Sequence, residues 1–210
     1  MTAPQTPGTV PVVHVVDDDD DVRHSLAYLF HSIGVVTLTY PDATSFLAEF
    51  DPQEPAVLIV DVRMPGISGL RLQEMLRERN YPAPVIFCSA HGDIPMSVTA
   101  VRHGAVDFLE KPYQPQRMIE VVQAQLVEAR RLFEEGADRR SVMARTESLT
   151  PREREVLRLV IDGLPRKSIA RMLGTSVKTV DVHRARIKDK TGADTLGALV
   201  RDVQQHDVEI

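Results

Sequence analysis

Five short apolar runs, separated by stretches of a different periodicity, constrain this chain more than any other feature. The runs are VVHVV (12–16), VVTLTY (35–40), AVLIV (56–60), PVIFCS (84–89) and AVDFL (105–109). Each is rich in β-branched or aromatic residues and bounded by turn formers, the pattern of a short buried strand. Between them the apolar residues recur at helical spacing. Val22, Leu26, Leu29, Phe30 and Ile33 share one helical face; Ala43, Phe46, Leu47 and Phe50 share another, behind a cap at Asp42; Leu72, Met75 and Leu76 make a third. Strands that alternate with helices, and are apolar on both faces, require a parallel sheet covered on both sides. The expected fold over 10–126 is therefore α/β, a (βα)5 doubly wound parallel sheet with strand order 2-1-3-4-5. Residues 1–9 read as a flexible tail, with no basic-then-apolar leader pattern.

The remainder of the chain changes character. A long helical pattern starts at Pro115, a residue suited to a first helical position, and runs to Gly136 or beyond. Its second half, 127–146, reads as a linker helix, with a partly frayed connector as the competing reading. From 147 to 210 the pattern predicts a small all-α domain of four helices. The first has Thr150 as cap, Pro151 at its first position, Glu153 placed for a capping box, and Gly163 at its end. A second ends at Gly174, a third starts behind Ser176, and DTLGALVRDVQQ forms the last. A tight glycine turn between the second and third helices suggests a helix-turn-helix. Charge divides in the same way. Residues 1–147 hold 13 Lys and Arg against 21 Asp and Glu, a balance of −8, whereas 148–210 hold 12 against 9, a balance of +3. Two domains with different partners are implied.

The acids of the front half are concentrated where a parallel sheet has its functional crevice, at the carboxyl ends of the strands beside the reversal of strand order. DDDDD (17–21) directly follows the first strand, and Asp61 ends the third. In the order 2-1-3-4-5 those strands are neighbours, so Asp17, Asp18 and Asp61 converge. Carboxylates held together in a half-buried crevice must protonate or bind a cation. An all-oxygen set favours Mg²⁺, which takes one or two carboxylates plus a phosphate. A carboxylate beside Mg²⁺ is also a phosphoryl acceptor. Ser89, ending the fourth strand, and Lys111, following the fifth, bring a hydroxyl and an ammonium to the same crevice and complete the coordination of a phosphoryl group. Lys111 precedes Pro112, where a cis bond is plausible. Asp20 and Asp21 are expected to cap the first helix.

The single cysteine, Cys88, lies in an apolar run and reads as a small core residue. One cysteine, no disulfide framework and no run long enough to span a bilayer point to a cytoplasmic protein without membrane contact. No glycine-rich nucleotide loop and no His/Cys metal cluster is present.

VVDDDDDVR, VDVRMPGISG, FCSAHGDIPMSV and VDFLEKPY resemble the receiver domain of two-component response regulators. LTPREREVLRLVIDGLPRKSIARMLGTSVKTVDVHRARIKDKTGA resembles the LuxR-type DNA-binding domain. The pairing is that of the NarL/FixJ family, and FixJ-like members most of all. The resemblance implies a non-enzymatic transcription regulator. Asp61 would be phosphorylated by a sensor histidine kinase. Asp18 would bind Mg²⁺ directly with Asp17 assisting, and the main-chain carbonyl of Arg63 would be a further ligand. Ser89 would be the switch hydroxyl, Phe108 the aromatic that moves with it, and Lys111 the partner of the phosphoryl group. Promoter DNA, RNA polymerase and, on phosphorylation, a second copy of the chain would be partners. HGDIPMSVTAVRHGAVDF (91–108) is where the dimer surface is expected.

In a helix-turn-helix the second helix of the pair enters the major groove. Along SVKTVDVHRARIKDK, Val180, Ile187 and Thr191 point inward. Lys178, Asp181, Val182, Ala185 and Asp189 face out, with Arg184 and Lys188 on one flank and Arg186 on the other. The expected DNA contacts are Lys178, Thr179, Asp181, Val182, His183, Ala185, Arg186 and Lys188. Thr179, His183 and the bases suit phosphates. Asp181 is the odd member: an acid repels phosphate but accepts from cytosine N4. Its competing role is a surface ion pair with Arg184 or Lys188. Leu196, Leu199, Val200 and Val203 make either a dimer face or core.

Two other functions compete. An aspartate-nucleophile phosphohydrolase of the haloacid dehalogenase type needs a second acid two residues after the nucleophile, and here Val62 and Arg63 follow Asp61. A constitutive DNA-binding protein would use the acidic pocket as a metal site alone.

Overall fold

The structure, a computed structural model, describes residues 10–90 and 100–210. The chain divides into two compact units, one ending at Phe133 and one running from Glu134 to Ile210.

In the first unit the strands are β1 (Val12–Val16), β2 (Thr37–Tyr40), β3 (Ala56–Asp61), β4 (Val85–Ser89) and β5 (Asp107–Glu110). They form one parallel sheet in the order β2-β1-β3-β4-β5. The helices are α1 (Asp20–His31), α2 (Ala43–Glu49), α3 (Gly69–Glu78) and the start of α4 (Pro115–Glu147). Successive residues of a strand point to opposite faces, so a strand buried on both sides must be apolar throughout. β1 shows this directly. Val12 and Val16 pack with Phe46 of α2 and Leu72 and Leu76 of α3. Val13 and Val15 pack on the other face, with Leu26 and Phe30 of α1 and Met118 and Val122 of α4. Burying each such side chain stabilises the fold by roughly 1.5–3 kcal/mol. The expected fold class, helix faces and cap at Asp42 agree with these elements. The expected tail at 1–9, and residues 91–99 of the expected dimer surface, lie outside the described residues.

The acidic run behaves differently from expectation at one point. The cap of α1 is Asp19, whose side chain accepts from the main-chain N–H groups of Asp21 and Val22. Asp20 and Asp21 occupy the first turn, where their charge opposes the helix dipole. The cap falls one residue earlier because Asp17 itself accepts from the Asp19 N–H at 3.0 Å, turning the chain directly out of β1.

The second unit contains the end of α4, then α5 (Pro151–Ile161), α6 (Arg166–Met172), α7 (Val177–Thr191) and α8 (Leu196–Gln205). Its core is Val142, Val156, Leu157, Ile169, Val180, Ile187, Leu199 and Val203, among others. Leu199 and Val203 are thus core, and Leu196 and Val200 pack against it. Gly174 has φ 61, a left-handed conformation that lets the chain leave α6 and enter α7 in a tight turn.

Thr150 and Glu153 form the expected capping box at the start of α5. Glu153 does more: it is buried, and it accepts from Lys190 Nζ of α7 at 2.7 Å. Burial alone would raise its pKa. The Lys190 ammonium and the Thr150 N–H and hydroxyl overcome this and hold it down at about 2. Its contribution to stability is therefore present above the ordinary glutamate range and lost as pH falls toward 2. Glu153→Gln is expected to lower the stability of this unit by about 2 kcal/mol, measured by urea denaturation at neutral pH. A loss within the error of the measurement would show that the pair does not hold α7 to α5.

Candidate functional site

The carboxyl ends of β1 and β3 lie side by side, with Val16 in register with Val60. One residue further along each chain stand Asp17 and Asp61, both buried, with the exposed Asp18 beside them. One carboxylate oxygen from each of Asp17, Asp18 and Asp61 lies within 4.8 Å of the others. Lys111, just after β5, reaches into the group. Its ammonium donates to Asp17 Oδ2 at 2.6 Å and lies 3.7 Å from Asp61 Oδ1.

The electrostatics follow from this crowding. Burial raises the Asp61 pKa; Lys111 opposes the rise, and the charges of Asp17 and Asp18 add to it. Burial alone would lower the Lys111 pKa, but the hydrogen bond and charge of Asp17 and the charge of Asp61 raise it. The site is thus one of incompletely compensated negative charge. All its anionic donors are oxygens, which suits a hard divalent cation.

Ser89 ends β4 and is buried, and its main-chain carbonyl accepts from the Lys111 N–H at 2.9 Å. Phe108, on β5, is half-buried, with its ring centroid 6.5 Å from that of Phe87. Arg63 lies two residues beyond Asp61 with its side chain exposed. The Lys111–Pro112 bond is cis.

Two residues that sequence reasoning passed over support the pocket. Arg23 folds back from α1 to donate to the Asp17 main-chain carbonyl at 2.5 Å, and it pairs with Asp20. It holds the turn from which Asp17 and Asp18 project. Gly69, at the start of α3, sits so close to β3 that a Cβ would run into the Asp61 main-chain oxygen. Its presence in VDVRMPGISG was the available signal; the close approach was not visible without the packing.

In the second unit, α7 buries Val180, Ile187 and Thr191, as its periodicity predicts. Lys178, Thr179, Val182, Ala185, Arg186 and Lys188 are exposed, and Asp181 and His183 are half-buried. Ser176 caps the helix through the Thr179 N–H at 3.0 Å. Asp181 pairs neither with Arg184 nor with Lys188. Its partner is Arg166 on α6, Nη1 to Oδ1 3.3 Å. The turn between the helices brings α6 alongside α7, and a cross-helix partner takes the place of one along the helix.

Residues 13–123 match the response regulator receiver domain, and 147–202 match the luxR family of bacterial regulatory proteins. The transcriptional regulatory protein FixJ of Azorhizobium caulinodans is 42% identical over 195 residues, 93% of this chain and 92% of that protein. TdiR of Thauera aromatica, also a transcriptional regulatory protein, is 39% identical over 205 residues, 98% and 90% of the two chains. Among solved structures, the response regulator StyR superposes with a TM-score of 0.78 at 38% identity, covering 94% of this chain and all of that one. Full-length FixJ from B. japonicum gives 0.54 at 34% identity, covering 96% and 100%. The acidic pocket at the ends of β1 and β3, and the helix-turn-helix of the second unit, therefore belong to one kind of molecule: this chain is a two-component response regulator of the FixJ type, a transcription regulator with a receiver domain and a LuxR-type DNA-binding domain.

Proposed function

We propose that Asp61 accepts a phosphoryl group from a sensor histidine kinase and that this modification controls promoter binding through α7. The observation that carries the reading is the convergence of Asp17, Asp18 and Asp61 within 4.8 Å, with the Lys111 ammonium inserted among them. In the transfer, an Asp61 carboxylate oxygen attacks phosphorus in line, the bond from phosphorus to the donor nitrogen breaks, and the donor leaves with that electron pair. Asp17, Asp18, Asp61 and the Arg63 carbonyl would hold Mg²⁺. When bound, that ion neutralises charge on the transferred group. Lys111 exchanges its Asp17 partner for a phosphoryl oxygen, and Ser89 donates its hydroxyl to another. Movement of Ser89 opens space toward which Phe108 turns, and the strand end carries the change to a dimer surface.

The receiver spans 10–126, with the tail before it; 127–146 is a linker helix and 147–210 the DNA-binding domain. Between Phe133, packed in the first unit, and Val142, packed in the second, no residue is buried, which supports an exposed connecting segment. The DNA contacts are Lys178, Thr179, Asp181, Val182, His183, Ala185, Arg186 and Lys188. Phosphorylation pairs two chains, which then engage two half-sites and RNA polymerase in the cytoplasm. No described helix is long and apolar enough to cross a membrane.

The test is intact mass after incubation with acetyl phosphate and Mg²⁺, with peptide mapping of the modified residue. Gain of one phosphoryl group on Asp61, abolished by EDTA, is expected. Modification elsewhere, or uptake that ignores EDTA, would overturn the assignment. Sedimentation before and after phosphorylation is expected to show a monomer-to-dimer shift.

A further inference from the structure

A helix in the major groove faces a duplex carrying about one negative charge per 1.7 Å of its axis. A carboxylate on that helix is repelled unless it is neutralised or used. Asp181 stands on the outward face of α7, and its ion pair crosses to Arg166, the first residue of α6. Side-chain exposures are 62% for Arg166 and 44% for Asp181, so the pair is open to solvent and adds little to folding. Its consequence lies in orientation. The contact joins Arg166 Nη1 to one carboxylate oxygen, Oδ1. The second oxygen, Oδ2, is left to accept from another donor, and a guanidinium offers five N–H donors, of which this pair engages one.

We infer that Arg166 is a positioning residue for base recognition: it holds Asp181 so that the carboxylate accepts from the exocyclic amino group of a cytosine in the major groove. The inference rests on α7 being the recognition helix. Two physical effects are combined. The guanidinium cancels the repulsion between Asp181 and the duplex phosphates. It also limits the rotamers of a short acid that would otherwise swing freely, and a fixed acceptor discriminates better than a mobile one. Cytosine is the base whose major-groove edge suits a carboxylate, since it presents an amino donor where guanine presents two acceptors. Adenine has an amino donor too, but its adjacent N7 acceptor repels a carboxylate. In a helix-turn-helix the helix preceding the recognition helix crosses the DNA backbone. On this reading the remaining Arg166 donors would be available to a phosphate, which would tie backbone anchoring to base reading.

The experiment is selection from a random duplex pool by the full chain with acetyl phosphate and Mg²⁺. It is run for the wild type, Asp181→Ala, Arg166→Ala, Arg166→Lys and the double variant Asp181→Ala with Arg166→Ala, each first checked for an unchanged thermal midpoint. The wild type is expected to enrich cytosine at one position of each half-site. Asp181→Ala loses that preference by roughly tenfold and keeps the others. Arg166→Ala weakens the preference at the same position, and the double variant is no worse there than Asp181→Ala. Arg166→Lys keeps the charge but not the fork, restoring the overall affinity more than the cytosine preference. If Arg166→Ala lowers affinity for every sequence alike, with a smaller salt slope and the cytosine preference intact, Arg166 is a phosphate contact only and the inference fails. An unchanged preference in Asp181→Ala removes base reading by Asp181 and overturns it too. No enrichment by the wild type would strike at the recognition-helix reading itself.

Discussion

Asp61→Asn is expected to abolish phosphoryl uptake from acetyl phosphate and, at the same time, to make the metal-free protein more stable. Loss of uptake follows because an amide oxygen is not an anionic nucleophile. The gain in stability follows from the surroundings of Asp61. Burial raises its pKa, Lys111 resists, and Asp17 and Asp18 push it further up. A group whose pKa is higher in the folded state contributes stability in full below its unfolded pKa, and loses that contribution as pH rises through the folded value. At pH 7 the ionised Asp61 is therefore a cost to folding, and the neutral, nearly isosteric amide relieves it by on the order of 1 kcal/mol. On the proposed function Mg²⁺ would act in the opposite sense: it would stabilise the folded pocket by mass action, and it would have less to bind in the variant. Thermal midpoints in EDTA should be higher for Asp61→Asn than for the wild type, and the rise on adding Mg²⁺ should be smaller. A variant that is less stable than the wild type in EDTA would mean that the three carboxylates are not in unfavourable contact.

The second large effect lies in the core, away from the chemistry. His14 sits in the middle of β1 at 1% exposure, between Tyr40 and Phe46, with ring centroids 5.6 and 5.3 Å away. Neither ring nitrogen has a hydrogen-bond partner among the described residues. Burial lowers its pKa from 6.5 to about 4. The imidazole is thus neutral in the fold at a pH where it is protonated in the unfolded chain. With the folded pKa depressed, the unfolded state binds the extra proton. Stability is complete above about pH 6.5 and falls as pH drops toward 4, by roughly 3 kcal/mol over the whole range. His14→Leu should remove that component. It should also stabilise the protein at pH 7 by about 1 kcal/mol or more, because two unsatisfied polar atoms leave the core. Urea denaturation of both proteins at pH 7 and pH 5 tests this. The wild type should lose more stability between the two pH values than the variant, and parallel losses would show that His14 does not control the difference.

Much of the first unit was legible because its signals are local. A strand covered on both faces must be apolar at every position, and a helix covered on one face must be apolar at every third or fourth. VVHVV and the Leu26–Phe30 face carry those requirements openly. Caps are equally local, so Asp42, Thr150 and Ser176 could be read from spacing. The convergence of Asp17, Asp18, Asp61 and Lys111 was legible for a different reason: strand order converts positions far apart in sequence into neighbours, and the expected order 2-1-3-4-5 is the one the sheet has. The errors fall where several residues of one type compete. Five consecutive aspartates are each capable of capping α1, and the turn out of β1 chose Asp19.

The sequence by itself determined the alternation of strand and helix, the faces that are buried, and the chemical types delivered to the strand ends, because these depend on periodicity and on short-range sterics. Only the tertiary structure decided which groups touch. Arg23 reaching the Asp17 carbonyl, Gly69 lying against Asp61, His14 enclosed with no hydrogen-bond partner among the described residues, Lys190 closing on Glu153 and Arg166 answering Asp181 each depend on how one element packs beside another. Sequence spacing carries no distance across a turn of the fold. A long side chain therefore selects its partner only when packing has set which neighbours lie within its reach.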